Sequence, residues 1–174
     1  MQKPAKGEYN PYFENYIDLV KEGDFFQLLK DSTSGTVHFF RDIAIKKEDY
    51  SYSEGKWTPK QILQHITDTE RVMCYRALVA ARGDKKTILQ NMDENEYVAA
   101  VDVSGKSMES LIDEFKAVRK ASTALFLSLS EEETKNRANS ESNGVIFPIT
   151  ARAVGYILIG HILHHTNIIK ERYL

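Results

Sequence analysis

Apolar residues recur along most of the chain at spacings of three and four, the mark of helices with one face turned inward. After a short polar start this pattern predicts a helix over 12–22 and a second over 24–43, the latter carrying Phe25, Leu28, Leu29, Val37 and Phe40. Gly23 marks the break between them, and Gly35 weakens the middle of the second. A polar loop, KKEDYSYSEGK, leads to the clearest helix of all. Thr58 is a good N-cap for it, Pro59 suits a first turn whose amide needs no intrahelical partner, and Gly83 is placed to stop it after Arg82. From 84 to 106 the periodicity fades, which suggests a lid or a long crossover with a short helical piece, since structureless loops beyond about 15 residues are uncommon. A further helix is predicted over 108–129, on Leu111, Ile112, Phe115, Val118, Leu125, Phe126 and Leu129. Residues 130–149 read as a turn-rich connector opening with one acidic helical turn, and Thr150 caps a last helix reaching Arg172. Nothing reads as a strand, and there is no internal repeat. Four long helices with one or two long connections predict an all-α four-helix bundle in a single domain over 1–174, with 1–23 an N-terminal extension or short helix.

Composition narrows the class. Charged residues make up 28% of the 174 and leave a net charge of −2, so neither nucleic acid nor an anionic membrane is expected as a partner. The single cysteine, Cys74, rules out an internal disulfide and fits a reducing compartment. The N-terminus lacks the apolar core of a signal peptide, and no apolar run approaches the roughly 18 residues of a membrane span. The expectation is a soluble cytoplasmic protein.

The candidate chemistry lies in the histidines. At ~100° per residue, His161 and His165 differ by only ~40° in direction and ~6 Å along the helix axis, so they share a face. Val154, Ile157, Leu158 and Ile168 fall within ~60° of His161, which makes that face the one turned to the core. His164 lies ~60° to the other side and ~100° from His165, so all three cannot aim at one point; the pair His161 with His165 is favoured, and His161 with His164 stays open. On the preceding long helix His65 shares a face with Ile62, Thr69, Val72, Arg76 and Val79 and points inward as well. Neutral imidazole is the commonest metal ligand, and one ring from one helix with two from another could close a three-histidine site with an open position. The plainer reading is a set of hydrogen-bonded core histidines, although burying two unpaired imidazoles is costly. Cys74 lies about opposite His65 and reads as packing. Asp68 could orient a ring or sit in a surface ion pair, and His38 has no partner near it in sequence. Arg76 and Arg119 are each read as holding either a structural ion pair or an anionic substrate.

The stretches GKWTPKQILQHITDTERVMCYRAL at 55–78, GD at 83–84, DENEYV at 93–98, EFKAVRKAS at 114–122 and TARAVGYILIGHILHHTNIIKERYL at 150–174 together resemble the DinB-like, or YfiT-like, metal-dependent hydrolase superfamily of four-helix bundles. The likeness spans 24–174 and rests on the order of tryptophan loop, helix histidine and terminal GHxxHH run. It implies a divalent metal, often zinc or nickel, held by residues that correspond to His65, His161 and His165, and it implies homodimers. It also implies a thiol-dependent S-transferase, using a low-molecular-weight thiol such as bacillithiol or mycothiol, or a hydrolase. The competing expectation is a non-catalytic metal-binding bundle acting in a stress response. A homodimer is expected on a second ground, because Tyr156, Ile159, Ile162 and Leu163 make the last helix apolar nearly all round.

Overall fold

The computed structural model describes residues 1–174. Four long helices form the body: α2 (Phe25–Arg41), α4 (Pro59–Ala81), α6 (Met108–Leu127) and α8 (Ala151–Arg172). Between and before them stand α1 (Glu14–Asp18), α3 (Ile45–Glu48), α5 (Glu94–Ala100) and α7 (Glu131–Lys135). The caps fall where side-chain chemistry places them. Thr58 accepts from the Gln61 amide while Gln61 reaches back to the Thr58 amide, and Thr150 accepts from the Ala153 amide. The helix expected over 12–22 is shorter. A 3₁₀ turn at Pro11–Phe13 leads into α1, which ends at Asp18 because the Leu19 amide turns back to the Tyr16 and Ile17 carbonyls.

α4 packs on both α6 and α8, and α2 packs on the same two, so α2 and α4 stand at opposite corners of the bundle although they are consecutive long helices. The core is divided. One apolar cluster includes Phe25, Leu29, Met73, Ala77, Phe126 and Ile157, and the other includes Phe40, Ile62, Ile66, Ile112, Phe115 and Ile169. At the level between them the helices contribute polar side chains instead: Ser32 and Thr36, Glu70, Arg119 and Ser122, and His161 and His165. Arg119 donates from Nε and Nη2 to Glu70 Oε2 at 3.1 and 2.7 Å and from Nη1 to Ser32 at 3.3 Å.

The bundle is not purely α-helical. β1 (Ile88–Leu89) pairs parallel with β2 (Arg137–Ser142), which pairs antiparallel with β3 (Val145–Thr150). The sequence concealed this small sheet because the buried positions of β2 are Ala138 and Ser140, too small and too polar to show an apolar alternation. The one local sign is Asn143-Gly144, where φ is 51° and 76°, the left-handed pair that a two-residue hairpin turn demands.

The apolar circumference of α8 is covered from within the chain. α1, α2 and α4 pack on it, and Tyr156, Ile159 and Ile162 are buried by the protomer itself, which removes that ground for inferring a second copy. At Gly160 the backbone of α1 comes so close that a Cβ would lie 1.9 Å from the Tyr16 carbonyl oxygen. No helix is long and apolar enough to cross a membrane.

Candidate metal centre

The N-terminal third of α4 and the central turns of α8 bring three imidazoles together. His161 Nε2 lies 3.0 Å from His65 Nε2 and 3.0 Å from His165 Nε2, and the three donor atoms all fall within 4.8 Å of one another. All three rings are buried. Of the two pairings that spacing left open, it is His161 with His165 that stands in the cluster with His65; the ring of His164 is half-buried and packs on Tyr16, 5.1 Å between centroids. His38 is exposed on α2, away from the cluster.

A neutral imidazole offers at each nitrogen either one N–H or one lone pair. His161 Nε2 therefore cannot satisfy both neighbours at 3.0 Å, and three buried rings facing one another would be frustrated as a hydrogen-bonded set. A cation among them takes all three lone pairs at once. The contacts are close to the ~3.3 Å between nitrogens that bonds of about 2.0–2.1 Å in a tetrahedron require, so the donor set fits a divalent metal.

Burial also sets the protonation state. It pushes His65 down to about 4 and His165 to about 3, and it holds His161 well below the usual imidazole value, helped by the neighbouring rings. The unfolded chain, with imidazoles near 6.5, then binds more protons than the native one at mildly acid pH. The stability of the metal-free protein is expected to be full above pH 6.5 and to decline as pH falls towards 4. Urea midpoints at pH 7, 5.5 and 4 check this, and a His161→Leu variant should show a shallower decline.

Two aromatic side chains shield the cluster. The Trp57 ring, just before the α4 cap, lies 4.7 Å from His65 and stacks at 27° on His165, while Tyr16 of α1 meets the edge of His161 at 5.6 Å. Beside them opens a cavity of about 710 Å³. Its walls come from the N-terminal segment (Asn10, Tyr12, Phe13, Tyr16), from the 84–106 segment (Asn91, Met92, Asp93, Glu94) and from the β2–β3 hairpin (Ser140, Ser142, Asn143). The 84–106 segment and the 130–149 connector thus both reach the site. The part played by residues 10–16 went unseen, because their one clear signal, a run of aromatics, reads equally well as packing.

The remaining candidates separate. Asp68 pairs with Arg71 at 2.8 Å and accepts from Gln64, so it orients no imidazole, and His65 Nδ1 is buried without a partner. Cys74 donates to Ser122 at 3.0 Å, and burial pushes its thiol up to about 11, which suits packing and not nucleophilic attack. Arg119 is the ion-paired arginine. Arg76 lines the cavity and pairs with no carboxylate; its Nη2 donates to the Gln90 carbonyl at 2.6 Å.

Among solved structures the fold is similar to YfiT from Bacillus subtilis, a probable metal-dependent hydrolase with an unusual four-helix bundle topology: TM-score 0.73 at 18% identity, covering 95% of this chain and 92% of that one. It is also similar to the mycothiol-dependent maleylpyruvate isomerase, with TM-score 0.63 at 15% identity over 88% of this chain and 62% of the isomerase. A histidine-to-alanine variant of that isomerase aligns with TM-score 0.66 at 16% identity over the same shares of the two chains. A search of curated proteins finds no sequence match. The family model of the DinB superfamily matches residues 28–169, a span that holds the bundle and all three clustered histidines, and the chain belongs to that superfamily.

Proposed function

We propose that His65, His161 and His165 hold one divalent cation, zinc or nickel, and that the protein is a metal-dependent enzyme for a small-molecule substrate. The reaction is transfer of a low-molecular-weight thiol to an electrophile, or hydrolysis. The observation that carries the reading is the meeting of three buried Nε2 atoms, from two helices, at the wall of an open cavity. A closed structural site would need no such opening. A cation bound there would supply Lewis acidity, lowering the pKa of a thiol or water so that its anion can attack. The protein's own part is to keep three imidazoles neutral by burial, to fix their rings by packing Trp57 and Tyr16 on them, and to seat the electrophile against the polar hairpin wall. The description of YfiT as a probable metal-dependent hydrolase and the mycothiol dependence of the isomerase support metal and thiol respectively.

Metal analysis by mass spectrometry of protein purified without chelators tests the reading and identifies the ion. About one equivalent per chain is expected in the wild type and in His38→Ala, and almost none in His161→Ala. A metal-free, fully stable wild type defeats it. For the thiol, the cobalt-substituted protein should change its visible spectrum when a small thiol is added, and an unchanged spectrum would leave hydrolysis as the reaction.

A further inference from the structure

Two arginines are buried in this protein, and only one has an anionic partner. Arg119 is paired with Glu70, whereas Arg76, 5% exposed, makes no ion pair. Its contacts are the Gln90 carbonyl and, at 3.5 Å from Nη1, the sulfur of Met73, neither of which neutralises a cation. A guanidinium stays charged at any physiological pH, and burying it without a counter-charge is costly. That cost is understandable if the counter-charge arrives with a ligand.

The position of Arg76 says which ligand. His65, Thr69, Val72 and Arg76 all line the same cavity, at helical offsets that keep them within ~60° on one face of α4. Arg76 lies about 16 Å along the axis from His65. Both side chains lean towards the N-terminus, and the guanidinium on its longer stem leans further, as its contact with Met73 one turn back illustrates, which leaves on the order of 10–15 Å between guanidinium and imidazoles. Thr69, between the two, has a buried hydroxyl with no hydrogen-bond partner. No lysine and no second arginine lines the cavity, and Asp93 and Glu94 do, so a single negative charge is favoured over a doubly charged phosphate.

We propose that Arg76 is a carboxylate subsite: the ligand lies along this face of α4 with its reactive head at the histidines and a carboxylate on the Arg76 guanidinium. The assignment of the head rests on the metal-enzyme reading above; the assignment of the tail does not.

Calorimetric titration with 6-mercaptohexanoate and with 6-mercapto-1-hexanol separates the two ends, because the probes share the thiol and differ in the carboxylate. The acid is expected to bind wild-type protein about 10- to 100-fold more tightly than the alcohol, with metal loaded or stripped, since a charge-assisted pair is the only difference. Arg76→Gln should bring the two probes to within about threefold at unchanged metal content, and Arg76→Lys should fall between. Equal or undetectable binding of both probes by wild-type protein overturns the proposal, and that comparison needs no variant to fold. Inorganic phosphate displacing 6-mercaptohexanoate more effectively than hexanoate does would overturn it too, by making the subsite one for phosphate. Wild-type protein that takes up no metal and still prefers the acid would sink the metal reading alone; full metal content with no preference would sink this one alone.

Discussion

Replacing Arg119 with alanine is expected to destabilise the fold by about 3–5 kcal/mol, the cost of leaving a buried charge unpaired. Arg119 is 2% exposed and Glu70 1%, and they meet in the polar layer that separates the two apolar clusters. Glu70 Oε2 takes both guanidinium bonds, while Oε1 already has no partner, so no second donor stands ready to take over. Arg119 also spans the bundle, reaching from α6 to Glu70 on α4 and to Ser32 on α2, and it lies over the Phe115 ring at 5.4 Å. Removing the whole pair should behave differently. A Glu70→Leu, Arg119→Met double variant exchanges two desolvated charges for hydrocarbon and is expected to be neutral or more stable by about 1–4 kcal/mol. Urea denaturation of the single and double variants decides it: a cost below about 1 kcal/mol for Arg119→Ala would mean that solvent reaches Glu70.

Gly160→Ala is expected to lift the N-terminal segment off the bundle. On helix propensity alone the substitution should stabilise α8 by about 0.5–1 kcal/mol. The added Cβ, however, would lie 1.9 Å from the Tyr16 carbonyl oxygen, 2.4 Å from its carbon and 2.9 Å from its Cα, all backbone atoms that no rotamer change can move. Overpacking of this kind costs about 1–3 kcal/mol, and the weakest attachment yields first, here a helix of five residues. Tyr16 would leave His161, and the wall formed by residues 10–16 would go with it. Limited proteolysis should cut Gly160→Ala within the first 23 residues well before the wild type, with loss of that segment's share of ligand affinity. Protection equal to the wild type, with a raised melting temperature, would show that α1 adjusts to the methyl group.

The N-terminal segment matters for another reason. The family model begins at residue 28, yet the segment before it supplies a wall of the cavity and the aromatic shield of His161.

The long helices were legible because local rules suffice for them. Apolar periodicity, a Thr-Pro start for α4, a threonine cap for α8 and the glycine after Arg82 act within a few residues and do not wait for tertiary contacts. The same periodicity put His161 and His165 on one face and turned His65 inward, since helical geometry fixes direction within an element. What it could not fix is which faces meet. The convergence of two helices on one point, the pairing of Arg119 with Glu70 across 49 positions in sequence and the isolation of Arg76 depend on the register of α4 against α6 and α8. That register is set by side-chain packing over the whole core. The sheet escaped for a related reason: β2 earns its place through backbone bonds to β1 and β3, not through an apolar pattern of its own. Sequence alone therefore determined the helices and the direction in which their histidines point. Only the tertiary structure decided that those histidines meet beside a cavity, because energies of contact between distant segments leave no periodic trace in the chain.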